Sequence, residues 1–533
     1  MATFQSKLRR LALVVLFSLG VSLLVGTTTG AAAQEERVLV IGHAEFTDSL
    51  DPARAFSTTA FIVHRATYDS LVTYPDDSVA TIEPNLATSW EASEDGTVYT
   101  FTLREDVVFS NGDPLTAEDV AFSLNRLQHI KGNPSFLAET IQSAEADSDY
   151  AVVITLIRPD PTLLARLVNT TFSITNADEV RAAGGTDAED AAETDAAEAW
   201  LNSHSAGTGP YILESWTRQV ETVLVRNPNY WGEAPYFDRV VITNLPEAAT
   251  QKVALESGDI GLALDLTPDQ LPDLRANPDI EVWQGASTNL HYLMMNQDPE
   301  VGGPLSDPRV QLAVRYALDY EGYVDLWGGT APASVIPPGF FAAYGPDRAF
   351  QRDLDRARDL LAEAGYPDGF ETTLHYPSWT FGGANWDTNA QKIQADLAEV
   401  GIRVNLSPGE VGVKFEEYRA GNEGFGYWFW HPDYIDPGNY LAFLPGQILG
   451  LRARWTDANA DSAILELRDR ALVELDPATR IEIFAAIQDY LREQGPWAPF
   501  LFSGAQAAYR QDIEGYVYHP QWLLDVALLR RVE

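Results

Sequence analysis

Apolar and polar positions alternate over residues 37–41, 99–103, 152–156 and 220–225, and each run is closed by polar or turn-forming residues, which predicts short strands. Helical spacing interleaves with them. Thr116, followed by Ala117-Glu118-Asp119, reads as an N-cap with acids in the first turn of a helix running to about Leu127. A second helix is expected over 355–364, closed by Gly365, and a third over 389–400, stopped by Gly401 and followed by a strand over 402–406. This mixture predicts an α/β protein with mixed sheets.

The first residues change the compartment. Lys7, Arg9 and Arg10 precede an apolar run of about 15 residues over 11–25, and small residues follow to Ala31-Ala32-Ala33, the arrangement of a cleavable signal peptide over 1–33. The run is shorter than the roughly 20 residues that span a bilayer. With no cysteine there is neither a disulfide framework nor a residue to carry a lipid at the cleavage point, so a soluble exported protein is expected. A chain of 533 residues with 45% hydrophobic content fills two or three lobes. Its formal charge of −41 disfavours nucleic acid and anionic membranes as partners.

Motifs of catalysis are missing: there is no HExxH, GxSxG, Walker loop or strand-borne GxGxxG. Eight histidines show no tight pairing, and 77 acids generate carboxylate pairs by chance, so no catalytic residue, metal site or cofactor is expected. The segment 183–199, AGGTDAEDAAETDAAEA, is small and acidic and reads as an exposed loop or loose helix; it lacks the spaced ligands of an EF-hand.

Three groups of longer segments carry more information. The first holds Ser49-Leu50-Asp51-Pro52, Tyr68-Asp69-Ser70-Leu71, Pro84-Asn85-Leu86-Ala87-Thr88-Ser89-Trp90 and the run from Phe109-Ser110-Asn111-Gly112 to Val120. The second holds Gly207-Thr208-Gly209-Pro210-Tyr211, Arg226-Asn227-Pro228-Asn229-Tyr230-Trp231 and Leu255-Glu256-Ser257-Gly258-Asp259-Ile260. The third holds Asp307-Pro308-Arg309-Val310, Ala317-Leu318-Asp319 and Trp430-His431-Pro432-Asp433-Tyr434-Ile435-Asp436-Pro437. Together they resemble the family-5 extracellular solute-binding proteins, the dipeptide, oligopeptide and nickel receptors of ABC importers. Much of this is scaffold: Gly112, Gly209 and Pro210 are read as turn residues, and Trp90, Trp216 and Trp231 as packing.

The resemblance implies a periplasmic binding protein-like fold (type II, cluster C), a two-lobed clamp with an extra small domain and a hinge between the lobes. It implies lobe I from 34–80, 205–290 and 505–533, a small inserted domain over 81–204 and lobe II over 291–504. The implied function is the substrate-binding component of an ABC importer. It would capture a peptide or other small polar solute in the interlobe cleft and pass it, as a monomer, to an inner-membrane permease with its ATPase. An oligosaccharide, an opine or a nickel chelate are the alternative ligands, and a secreted hydrolase or a sensory receptor the alternative roles.

In peptide-binding members the acid of the Trp-x-x-Asp-Tyr stretch grips the ligand's α-ammonium; by resemblance that acid is Asp433, with capping of the following turn as its competing role. Trp430 lines the implied pocket, beside Tyr434 and His431, while Thr58 and Phe136 fall where oligopeptide receptors touch their ligand. Core packing competes for the aromatic run 425–430. One departure is plain: where dipeptide receptors carry an arginine for the ligand carboxylate, this sequence has Trp379-Thr380-Phe381-Gly382-Gly383, which argues against a strict dipeptide ligand.

Overall fold

In the computed structural model, which describes residues 36–532 other than 46, 48, 382 and 383 (the side chains of 380, 381 and 384 excepted), the alternating segments become strands. The signal peptide expected over 1–33 lies outside the described residues. In chain order the main strands are β1 Val38–His43, β2 Ala87–Ala92, β3 Val98–Leu103, β4 Ile141–Ser148, β5 Ala151–Leu156, β6 Tyr211–Thr217 and β7 Glu221–Arg226. They continue with β8 Arg239–Asn244, β9 Leu262–Ala263, β10 Ile280–Met295, β11 Glu371–Pro377, β12 Arg403–Gly409, β13 Phe425–Trp430 and β14 Trp497–Arg510. Each of the four alternating runs lies within one of these strands or overlaps it to within a residue or two.

Helices follow the expected signals with small shifts. The first long one, α1, spans Thr58–Thr67 under a Ser57 cap. Helix α2, Ala117–Ile130, begins where Asp119 Oδ2 accepts from both the Thr116 N–H (3.0 Å) and its hydroxyl (2.8 Å), and runs three residues past Leu127 because Leu127 and Ile130 are both buried. Helix α3 spans Leu354–Glu363 and ends ahead of Gly365 at φ +94°. Helix α4, Trp386–Ala398, starts three residues earlier than its apolar spacing suggested, under an Asn385 cap, and Gly401 at φ +87° ends it. Among the described residues no helix is long and apolar enough to cross a membrane.

Among the described residues ten strands form one mixed sheet in the order β12-β11-β13-β10-β14-β9-β1-β8-β7-β6, and four form a second, antiparallel sheet, β2-β3-β5-β4. The large sheet has two halves joined by two strands. Residues Ile280–Ala286 of β10 pair with Gly504–Arg510 of β14 and share a half with β9, which also pairs β14. Beyond a slip in register, Leu290 to Met294 pair with 497–502, and the other edge of β10 meets β13. Ser287, Thr288 and Asn289 fall in the slip, where the Ser287 hydroxyl donates to the Ser503 carbonyl (2.7 Å).

Each half has its own core. Leu39, Ile41, Ile62, Val240, Ile242 and Leu524 pack on one side, and Val314, Leu360, Leu374, Trp386, Ile393 and Phe425 on the other. A third cluster runs from the small sheet, through Phe101, Val152 and Leu124, to Tyr440, Phe443 and Trp497 of the far half. Full burial of side chains of this size stabilises each site by about 1.5–3 kcal/mol.

Gly207 and Gly209 of the second motif, the latter read as a turn residue, are both set by close packing. A Cβ on Gly207 would lie 2.1 Å from the Thr67 carbonyl oxygen, and one on Gly209 would lie 2.5 Å from the Thr67 carbonyl carbon, so close backbone approach to the end of α1 excludes any side chain. Between them, the Thr208 hydroxyl (2.8 Å) and the Trp231 indole (3.0 Å) both donate to Asp69. Gly112, at φ +93°, is the turn residue it was taken for.

The acidic segment 183–199 is the largely exposed, loosely helical stretch that was expected, but it is anchored at a few buried positions. It folds into short helices at Ala191–Thr194 and Glu198–Leu201, Ala191 and Ala197 are fully buried, and Asp195 has no exposed side-chain surface. Alanines permit close packing, and the buried acid has a counter-charge 69 residues away: Arg126 holds Asp195 at 2.9 Å and, through its other edge, Asp51 at 2.7 and 2.8 Å. Burial alone would raise the Asp195 carboxyl, but the Arg126 hydrogen bonds and charge hold it below the usual range. Local composition carries no sign of so distant a partner. Arg126→Met leaves the buried carboxylates of Asp51 and Asp195 sharing the half-buried Arg54 (3.4 and 3.2 Å) and is expected to cost about 3–5 kcal/mol in chemical denaturation; a loss under about 1 kcal/mol would show that the network is not structural.

Candidate functional site

Strand β13 lies beside β10 in the large sheet and runs out of it at Trp430. The chain then turns through Pro432 to Asp436 and enters a 3-10 turn at Pro437–Phe443. Asp436 is the residue that caps this turn: its Oδ1 accepts from the Gly438 N–H (2.7 Å) and from Arg480 (2.5 Å). Asp433 is thereby free of capping. Among the described residues its carboxylate accepts one hydrogen bond, from Asn439 Nδ2 (3.1 Å), and forms no ion pair. Asn439 is itself fixed, because its Oδ1 accepts from the Trp430 indole (2.8 Å). A relay Trp430–Asn439–Asp433 thus sets the direction of the carboxylate.

Other parts of the chain grip the same loop. Asn169 Nδ2 (2.6 Å) and, at longer range, Gln521 Nε2 (3.4 Å) donate to the Asp433 carbonyl, and the Tyr74 hydroxyl donates to the Ile435 carbonyl (3.0 Å). Tyr434 is buried with the Arg166 guanidinium 5.3 Å from its ring centre, and Arg166 pairs with Asp160 at 3.4 Å. Several polar atoms here are buried without a partner: the Tyr440 hydroxyl, Gln521 Oε1, and the hydroxyls of Thr170 and Thr171, which directly follow Asn169. Buried polar atoms left unpaired cost about 1–3 kcal/mol each, so their grouping points to a polar guest.

Burial pushes the Asp433 carboxyl up to about 6, against the opposing pull of the Asn439 hydrogen bond and the more distant Arg166 charge. It keeps some accessible surface although protein surrounds it. His431 is pushed down to about 4 by burial and is neutral near pH 7, with Nδ1 2.9 Å from Asn289 Oδ1 in the register slip of β10. Among the described residues His431 belongs to no cluster of three metal-binding side chains.

The six residues expected at the site divide into two groups. Asp433 and Trp430 meet through Asn439, with His431 and Tyr434 on the same loop; Tyr434 is turned into the wall beneath Arg166. Thr58 opens α1, and Phe136, 45% exposed, packs edge-on against Phe56 (5.6 Å) two residues before it. Among the described residues no hydrogen bond or ring contact joins this pair to Asp433. Sequence reading missed Asn439, Asn169, Gln521 and Tyr440. Asn439 lies close to the motif in sequence, but Asn169 and Gln521 arrive from segments 264 and 88 residues away and give no local signal.

A cavity of about 170 Å³ lies at the crossing of the two halves, lined among others by Ser287, Thr288, Phe340, Tyr518 and His519. The buried Thr288 hydroxyl has no partner. Phe340 packs edge-on against Tyr440 (5.9 Å), and His519 Nδ1 accepts from the Gln521 N–H (3.1 Å), so the cavity is one residue removed from the surroundings of Asp433 on two sides. None of the six expected residues lines it.

Among the described residues around Asp433 no nucleophile–base pair is present. Comparison with known proteins agrees. The family model described as bacterial extracellular solute-binding proteins, family 5 (middle) matches residues 81–447. The probable D,D-dipeptide-binding periplasmic protein DdpA of Escherichia coli K12 is 28% identical over 503 residues, 92% of this chain and 93% of that one. Di/tripeptide-binding protein 2 of Pseudomonas aeruginosa UCBPP-PA14 is 29% identical over 539 residues, 95% and 98% of the two chains. The solved structure of the ABC transporter-associated periplasmic binding protein DppA from Helicobacter pylori, in complex with the peptide STSA, superposes with a TM-score of 0.74 at 26% identity over 93% of this chain and 98% of that one. The fold is therefore the type II periplasmic binding protein fold that the sequence led us to expect. The chain belongs to the bacterial extracellular solute-binding proteins, family 5, which are binding components of ABC importers and not enzymes.

Proposed function

We propose that the protein captures a short peptide with a free amino terminus in the periplasm and hands it to an ABC permease and its ATPase. The observation that carries this reading is Asp433: an acid surrounded by protein, relieved of capping by Asp436, aimed by Trp430 and Asn439, and without a cation of its own. An α-ammonium supplies the missing charge, and the orphaned hydroxyl and amide groups around it suit a peptide main chain. The di- and tripeptide specificities in the names of the relatives support the same ligand class. Low availability of His431 for a metal, held by Asn289 and without neighbouring ligands, argues against a nickel chelate.

In this reading residues 34–80, 205–290 and 505–533 form lobe I, 81–204 the small domain and 291–504 lobe II, with the hinge at the slip of β10 around Ser287 and its partner Ser503 on β14. The lobes close as Asn169, Gln521 and Tyr74 engage the Asp433 loop. Residues 1–33 are the signal that exports the chain.

Two outcomes are expected. In calorimetric titration with a tripeptide, Asp433→Asn weakens binding by about 100-fold or more, since a lost buried ion pair costs about 3–5 kcal/mol, while N-acetylation of the peptide abolishes wild-type binding and costs the variant nothing further. Equal affinity of variant and parent would remove Asp433 from the site. Second, the carboxyl at about 6 must be ionised to hold an ammonium, so affinity falls about tenfold per pH unit below 6, and this slope is absent in Asp433→Asn. A raised carboxyl also works against the ligand-free fold: its cost is present above about pH 6 and is removed as pH falls toward 4. The ligand-free variant is accordingly at least as stable as the parent at pH 7.5; a marked loss there would contradict the burial argument.

A further inference from the structure

A second polar cluster lies where β13 begins rather than where it ends. His375 is on β11, paired with Gly426 of β13; Glu417 is on helix α5, Val411–Arg419; Glu423 sits in the turn just ahead of β13. One donor atom from each of the three lies within 4.8 Å of the other two. Glu423 is 1% exposed. Its Oε2 accepts from the Trp428 indole (2.8 Å), and its Oε1 is buried without a hydrogen-bond partner. Lys414, also buried, places its ammonium 2.8 Å from Glu417 Oε2 and 3.3 Å from His375 Nδ1, but makes no ion pair with Glu423.

The group therefore holds a cation on two of its three members and leaves the third carboxylate unserved. A buried carboxylate with a vacant lone pair is costly, and the Lys414 ammonium is bonded to Glu417 and His375 but not to Glu423; a divalent ion accepts all three donors at once. The donor set, one imidazole with two carboxylates, suits zinc-class ions better than calcium or magnesium, which prefer oxygen alone. Trp428 plays the part of an outer-shell partner, fixing Glu423 by Oε2 so that Oε1 faces inward. Binding here would tie β11, α5 and the start of β13 together, at the opposite end of β13 from the Asp433 loop.

We propose that His375, Glu417 and Glu423 form a binding site for a zinc-class divalent cation, with Lys414 as the internal cation that the metal displaces. The test is titration of the EDTA-treated mature protein with ZnCl₂, followed by calorimetry and melting temperature, with CaCl₂ and MgCl₂ alongside. Zinc is expected to bind and raise the melting temperature, and the two alkaline-earth ions are not. Lys414→Met, which removes the competing charge, is expected to tighten zinc binding about tenfold or more. Glu423→Gln, which keeps the volume and the Trp428 contact, and His375→Gln are each expected to weaken it about tenfold or more, while Asp433→Asn leaves it unchanged. The proposal is overturned if neither the parent nor Lys414→Met binds zinc more tightly than Glu423→Gln does. It is equally overturned if Asp433→Asn alone removes binding, which would place the ion in the cleft.

Discussion

Two strands carry the large sheet from one half of the molecule to the other, and everything proposed for the cleft depends on that narrow crossing. Strands β10 and β14 pair along both halves, but the register slips at Ser287, Thr288 and Asn289. A ladder whose register shifts here, and again between His291 and Tyr292, concentrates bending where few backbone hydrogen bonds resist it. The Ser287 hydroxyl, bonded to the Ser503 carbonyl, replaces part of what the slip removes, and a cavity at the crossing lies against the same residues. A sheet continuous through more strands would have no such soft line.

At the far end of β13 the binding chemistry rests on a division of labour between two acids three residues apart. Asp436 takes the local work of capping the turn and pairing Arg480, and this leaves Asp433 with a single amide donor. Burial raises its carboxyl, the sign of a charge left with little compensation. In the proposed function a ligand cation would offset this cost, so that an interaction unfavourable in the ligand-free fold would add to binding. The second cluster, at the start of the same strand, follows a similar logic with Lys414 as a partial counter-charge.

What the sequence disclosed follows the range of the forces involved. Caps and stops such as Thr116, Gly365 and Gly401 act over one turn of helix and were readable in place; the start of α4 was missed by three residues because Trp386 is drawn into the helix by burial against Tyr427 and Phe429 rather than by apolar spacing. The acidic stretch is exposed and loosely helical as read, but the burial of Asp195 was hidden because its counter-charge is Arg126, a partner no local window contains. Gly209 was read as a turn residue, but what excludes a side chain there, as at Gly207, is the distant Thr67. Asp433 was legible through the motif that contains it, and through that motif alone. Asn169 and Gln521, which hold its carbonyl, become neighbours only after the chain has folded back twice, and a register slip of β10 leaves no mark in composition.

The most direct test of the account is a crystal structure of the mature protein with an unblocked tripeptide. The account predicts a peptide enclosed between the halves with its terminal nitrogen about 2.7–3.2 Å from an oxygen of Asp433, at the end of the Trp430–Asn439 relay. A peptide seated with its amino terminus elsewhere, and Asp433 still bonded only to Asn439, would contradict it.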